Sequence, residues 1–191
     1  MNVARKYGLQ SVTGIARGVA ELVGSHNKTQ VNAQFKRGLG VDIFLKEPYL
    51  KPEIDSFAFW NSRLVTEMGE TYLNQVQGIA LNGLQSGMST KDMREKIQDR
   101  FGISDRRAQL IARDQVSKLN GQLTMLRQKE AGVSKYIWST SLDERVRPEH
   151  AAREGRTYSW DDPPADGHPG QPINCRCVSI PVLEIDPDIE E

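Results

Sequence analysis

The chain has little cysteine: two residues in 191, Cys175 and Cys177. A pair at i, i+2 would close a strained ring, so no disulfide framework is expected and folding in reducing cytoplasm is. Aromatic residues make up 7%, too few for a large aromatic-lined pocket. No apolar run reaches the roughly eighteen residues that suggest a membrane span. Met1 to Gly24 lacks the compact apolar segment and cleavage site of a signal peptide. A Gly-rich phosphate loop, His-Glu-x-x-His and Gly-x-Ser-x-Gly are also missing, which removes the usual sequence grounds for several enzyme classes. The apolar fraction of 38% is low for a compact globule and predicts exposed helices or flexible ends.

What is present is unevenly spread. The formal net charge is zero. Met1 to Trp138 nevertheless holds 20 Lys and Arg against 13 Asp and Glu, a net of +7, and Ser139 to Glu191 holds 5 against 12, a net of −7. The basic part suits nucleic acid or an acidic partner, or is simply a solvated surface.

Residues 1–52 are Gly-rich and weakly periodic. Gly8, Gly14, Gly18, Gly24, Gly38 and Gly40 each cost roughly 1 kcal/mol against Ala within a helix. An arm docked on a partner or on the helices is expected there, with a turn and short apolar segment at Gly38–Phe44. Residues 53–132 read as helical. Asp55 or Ser56 caps a helix whose apolar stripe is Phe57, Trp60, Leu64, Met68, Tyr72, Val76, Ile79 and Leu84, and Gly87 ends it. Ser89-Thr90-Lys91-Asp92 resembles a capping box for a short helix stopping at Gly102. Ser104 or Asp105 starts a third helix with the stripe Ala108, Ile111, Ala112, Gln115, Leu119, Leu123 and Leu126, stopping at Gly132. Arg106, Arg107, Arg113, Lys118, Arg127 and Lys129 decorate it as a basic face, solvated or in contact with DNA or a partner.

The period then changes. Residues 133–183 hold two strand-like runs, Lys135–Thr140 and Cys175–Ile185, separated by a long loop-rich insertion. Residues 184–191 form an acidic tail. The fold class is α+β, with helices first and a small β-containing domain after them.

The insertion concentrates the chemistry. His150, His168, Cys175 and Cys177, with Asp143 as an oxygen donor or a partner of a ligand, are a plausible zinc set. A structural reading stands beside it: a packed His150, a His168-Pro169-Gly170 turn, buried thiols and an Arg176 paired with acids. A catalytic reading assigns Asp143, Arg145 and His150 to a metal-dependent nuclease or toxin-like enzyme.

The run Trp138…Asp143-x-Arg145-Val146-Arg147-Pro148-x-His150…Gly155…Pro163-Pro164…His168-Pro169-Gly170…Asn174-Cys175-Arg176-Cys177 resembles the signature of phage Mu F-like head morphogenesis proteins, also called minor head or minor capsid proteins. Gly87-Met88-Ser89, Phe101-Gly102-Ile103-Ser104, Arg107-Ala108 and Ile111-Ala112-Arg113-Asp114 resemble the helical part of that family. The resemblance implies a non-enzymatic role in the virion, and in host cytoplasm during assembly. Head assembly, genome packaging or DNA delivery near the portal would be its setting. Partners would be the portal and capsid or scaffolding proteins, with double-stranded DNA and no membrane. The N-terminal arm is short for the family, so a compact version or a fragment is expected. No sizeable module is expected after Pro181.

Overall fold

The computed structural model of the chain describes residues 2–40 and 47–183. Three long helices lead: α1 (Asn2–Leu39), α2 (Lys51–Gln85) and α3 (Thr90–Glu130), with a 3-10 turn at Pro48–Leu50. Then come β1 (Lys135–Ser139), the short helix α4 (Pro148–Ala151), β2 (Thr157–Ser159) and β3 (Val178–Pro181). The fold is α+β. Among the described residues no helix is long and apolar enough to cross a membrane.

The glycines of the N-terminal region do not break it. It forms one 38-residue helix. The reason is a buried stripe at steps of three and four: Ala16, Ala20, Gly24, Asn27, Val31 and Phe35. Docking that stripe outweighs the intrinsic cost of the glycines. Val41 to Phe44 of the expected turn segment, and the tail 184–191, lie outside the described residues.

Helix α2 begins earlier than its expected cap, with Pro52 in its first turn. Asp55 instead accepts from Arg17 of α1 (2.6 Å) and from Lys51 (2.5 Å). Trp60 leaves the apolar stripe: it is 61% exposed, with the Arg63 guanidinium 5.8 Å from its ring centre. The α2 terminus follows local chemistry. Gly87 takes φ +68 and the Met88 N–H returns to the Gly83 carbonyl at 2.8 Å, a Schellman closure.

The two helices expected around Gly102 are one. Helix α3 runs 41 residues through it. Ser89 caps it as the sequence suggests, its Oγ accepting from the Asp92 N–H (3.1 Å) and donating to Asp92 Oδ2 (2.8 Å). Gly132, at φ +78, closes the far end, with Val133 N–H on the Gln128 carbonyl at 2.9 Å. Arg127 does not belong to a solvated face. Its side chain is buried and grips both Glu47 carboxylate oxygens, at 2.6 and 2.9 Å, and also donates to Asn27 Oδ1. Asn27 in turn donates to Thr124 Oγ1 at 2.7 Å, which ties α1 to α3.

The sheet is antiparallel in the order β2-β1-β3, with Tyr136 opposite Tyr158 and Trp138 opposite Ser179. Strand β2 lies inside the stretch expected to be loop. The second expected strand starts later, at Val178, so both cysteines lie in the extended segment before it. Pro181 ends edge strand β3, where a missing N–H is tolerated. Tyr136, Trp138, Trp160, Cys175 and Cys177 form one core cluster. Gln128 fastens it to α3, donating to the Ser179 carbonyl (3.2 Å) and accepting from the Trp160 indole (3.2 Å).

The His168-Pro169-Gly170 turn sits directly on α3. A Cβ built on Gly121 would lie 2.6 Å from the Pro169 carbonyl oxygen, a backbone atom that cannot swing away. Gly121→Ala is therefore expected to destabilise by about 1–3 kcal/mol despite the gain in helix propensity. Gly102→Ala meets nothing within 4 Å and should stabilise by up to about 1 kcal/mol. Urea unfolding of both variants checks the opposite signs.

Candidate metal centre

Helix α4 delivers His150. Pro148 fixes φ at the first helical position, and the Ala151 N–H returns to the Arg147 carbonyl at 2.9 Å. The cysteines arrive from the other side. The Cys175 N–H closes a turn on the Pro172 carbonyl (3.0 Å), and Asn174 supplies the positive φ (+55) that this turn requires. Its own N–H donates to Asp114 Oδ1 on α3 at 2.8 Å.

Three donors meet: His150 Nδ1 lies 3.7 Å from Cys175 Sγ and 3.4 Å from Cys177 Sγ, all buried and all within 4.8 Å of one another. Zinc bonds of about 2.0 Å to nitrogen and about 2.3 Å to sulfur put neighbouring tetrahedral ligands about 3.5 Å apart. The observed separations match that shell.

The surroundings fit a metal as well. His150 Nε2 meets Asp166 Oδ2 at 2.9 Å, the carboxylate–histidine arrangement that orients metal-bound imidazoles. Asp166 Oδ1 accepts from Arg153 at 2.6 Å. Burial alone would raise the Asp166 carboxyl, but the bonds from His150 and Arg153 outweigh it and hold it low. Trp138 packs edge-on against His150, with ring centres 5.2 Å apart, under the Arg153 guanidinium. Its indole N–H is buried without a hydrogen-bond partner. The Gly170 N–H donates to Cys175 Sγ at 3.4 Å. The Cys175 thiol is held well below its usual range, first by the hydrogen bond from the Cys177 thiol. That same bond, with burial, pushes Cys177 up. Two thiols and one imidazole, buried together with this support, could hold a metal ion.

The remaining candidate donors sit elsewhere. His168 Nδ1 pairs with the Tyr136 hydroxyl at 2.9 Å, and its ring packs 4.9 Å from that of Trp160. Burial lowers its pKa. Asp143 is engaged by Arg176 through two bonds of 2.5 and 2.6 Å, which hold its carboxyl low. Asp143 thus faces Arg176 and His150 faces Asp166, while Arg145 is exposed. Arg147 donates to the Ile173 carbonyl. Gly155, at φ +71, donates its N–H to the Trp138 carbonyl at 2.9 Å and turns the chain toward β2. Pro169 and Gly170 dock on Gly121, as described. On α3, Arg106, Arg107 and Arg113 are exposed, whereas Lys118 is half-buried and pairs with Asp114 at 2.7 Å.

Sequence reasoning missed Asp166, Gln128 and Glu47. Nothing in their local spacing marks them, because each partner arrives from a distant segment.

A small cavity of about 130 Å³ opens beside the three donors. A larger apolar groove of about 530 Å³ lies between α1, α2 and α3, lined by Ile15, Val65, Phe101 and Val116 among others.

A family model described as phage Mu protein F like protein matches residues 74–180 of the chain. An uncharacterized protein of Haemophilus influenzae is 38% identical over 192 residues, covering 96% of this chain and 43% of that protein. The chain thus spans about two fifths of the length of that curated relative. No solved structure matches.

Proposed function

We propose, from the premise that this chain belongs to the phage Mu protein F-like family, that it is a minor head protein of a phage or prophage. It would act in head assembly, genome packaging or DNA delivery near the portal. The observation that carries this reading is the family match itself, which spans the last third of α2, all of α3 and the sheet domain as far as Ile180. The role is one of assembly rather than catalysis, and its seat is the virion, reached from host cytoplasm.

Portal protein is the proposed direct partner, with capsid or scaffolding proteins nearby. The large apolar side chains left exposed on the helical part support a surface that works against another protein: Ile15, Leu22, Phe59, Trp60 and Phe101 are each more than half exposed. Arg106, Arg107 and Arg113 are proposed to contact an acidic partner or double-stranded DNA. His150, Cys175 and Cys177 would hold one zinc ion. The ion would supply a cross-link between α4 and the segment before β3, fixing a long insertion that has few apolar residues.

The test is co-purification. An affinity-tagged copy expressed in the phage-producing host should sediment with procapsids and bring the portal protein with it. A chain that stays at the top of the gradient while procapsids form would overturn the proposal.

A further inference from the structure

The three donors leave a four-coordinate ion one ligand short. Among the described residues no further His, Cys, Asp or Glu joins the group. His168 and Asp143, the nearest in sequence logic, are both engaged elsewhere. The vacant direction is not filled by protein on every side, because His150, Cys175 and Cys177 form part of the wall of the 130 Å³ cavity. That space has room for a few water molecules or one tetrahedral oxyanion.

The same cavity is lined by Arg145, Arg147 and Arg176, which make its wall cationic. Their charges are not equally available. Arg176 is neutralised by its two bonds to Asp143. Arg147 spends one nitrogen on the neutral Ile173 carbonyl and keeps its full charge. Arg145 is exposed, with only a 4.0 Å approach to Glu144. A divalent ion with two thiolates and an imidazole has no net charge. It would not draw an anion by itself. The guanidinium groups of Arg145 and Arg147 in the same cavity wall would, because guanidinium forks match oxyanions in charge and geometry.

We propose, resting on the metal reading above, that the ion held by His150, Cys175 and Cys177 keeps its fourth position open to this cavity. It takes a small phosphate-like oxyanion there, clamped by Arg145 and Arg147. The anion would be held there by Arg145 and Arg147, with no bond made or broken in the anion itself. The source of such a group is either free phosphate or the terminal phosphate of a DNA strand.

Cobalt(II) can be loaded into the full chain in a phosphate-free buffer. Sulfur-to-cobalt charge transfer in the near ultraviolet reports the thiolates, and the visible bands report the coordination shell. Adding inorganic phosphate should shift the visible bands saturably. The double variant Arg145→Ala/Arg147→Ala should keep the charge-transfer band and need at least about tenfold more phosphate. A second arm compares a 5′-phosphorylated oligonucleotide with its 5′-hydroxyl form. A shift by the phosphorylated strand assigns the group to DNA ends, and a shift by free phosphate alone assigns it to the free ion. Either supports the open position. A cobalt spectrum with thiolate bands that phosphate and phosphorylated DNA leave unmoved overturns it while the metal reading stands. Unchanged phosphate affinity in the double variant overturns the clamp. Absence of any thiolate-to-cobalt band defeats the metal reading, and the inference falls with it.

Discussion

Arg127→Ala is expected to destabilise the chain by about 3–5 kcal/mol, more than any surface change on the helical part. The guanidinium is 1% exposed and makes paired bonds to Glu47, whose side chain is 13% exposed. It also donates to Asn27. Removing it leaves a largely buried carboxylate with Lys28 at 3.8 Å, and strips one partner from a fully buried amide. The loss is therefore the penalty of unpaired buried groups rather than the worth of one ion pair. Arg127→Met keeps the stem volume and should recover little, because Glu47 remains. The double variant Arg127→Met/Glu47→Gln should recover a large part, since replacing both charges of a buried pair is often near neutral. Urea unfolding of the four proteins forms a double-mutant cycle. A single Arg127→Ala loss below about 1 kcal/mol would mean that the network contributes no more than a surface pair.

The same residue marks the limit of sequence reading here. Arg127 lies among Arg106, Arg107, Arg113, Lys118 and Lys129, and its charge alone puts it with them. What buries it is Glu47, 80 positions away in sequence, and a contact at that distance leaves no local pattern. Where structure is set by neighbouring residues, the sequence was legible. Ser89 caps α3, Gly87 closes α2 and Gly132 closes α3, because capping needs only the groups within one turn. Helix α1 was illegible for a related reason. Four of its six buried stripe positions are Ala16, Ala20, Gly24 and Asn27, which carry almost no apolar signal at any period. Gly102 was overread: one glycine costs less than the packing of the helix that contains it, and Phe101 beside it meets Tyr72 edge-on across the α2–α3 pair.

The insertion divides in the same way. Its turns were visible in Pro169-Gly170 and Gly155. Strand β2 was not, since three residues give no measurable alternation and β2 exists by pairing with β1. The donor set was partly visible. Cys175 and Cys177 share a side as an extended i, i+2 pair, and His150 was a candidate by type. The separation of His150 from His168 is a matter of tertiary placement: one histidine finds Asp166 and the thiols, the other finds the Tyr136 hydroxyl.

That separation makes the metal reading decidable. Protein expressed with zinc is expected to carry about one equivalent by elemental analysis. Cys175→Ser, Cys177→Ser and His150→Ala should each lose it. His168→Ala and Asp143→Ala should retain it, although His168→Ala removes a buried partner of Tyr136 and should melt earlier with its zinc in place. Asp166→Asn should weaken binding by about 10–100-fold, as loss of a carboxylate behind a metal-bound imidazole does. A ligand that binds only the folded state at about 1,000 times its Kd stabilises by about 4.1 kcal/mol. For a chain of this size that is roughly 8–16 °C in Tm, so chelation should lower the melting temperature by an amount easily read in a thermal scan. Acidification should act in the same direction, because protons compete with the metal for both thiolates and for the imidazole. Restoring zinc should reverse the chelator effect in the wild type and not in Cys175→Ser. A wild-type protein that carries no metal and melts unchanged with or without chelator would leave the three side chains as a packed, hydrogen-bonded cluster and nothing more.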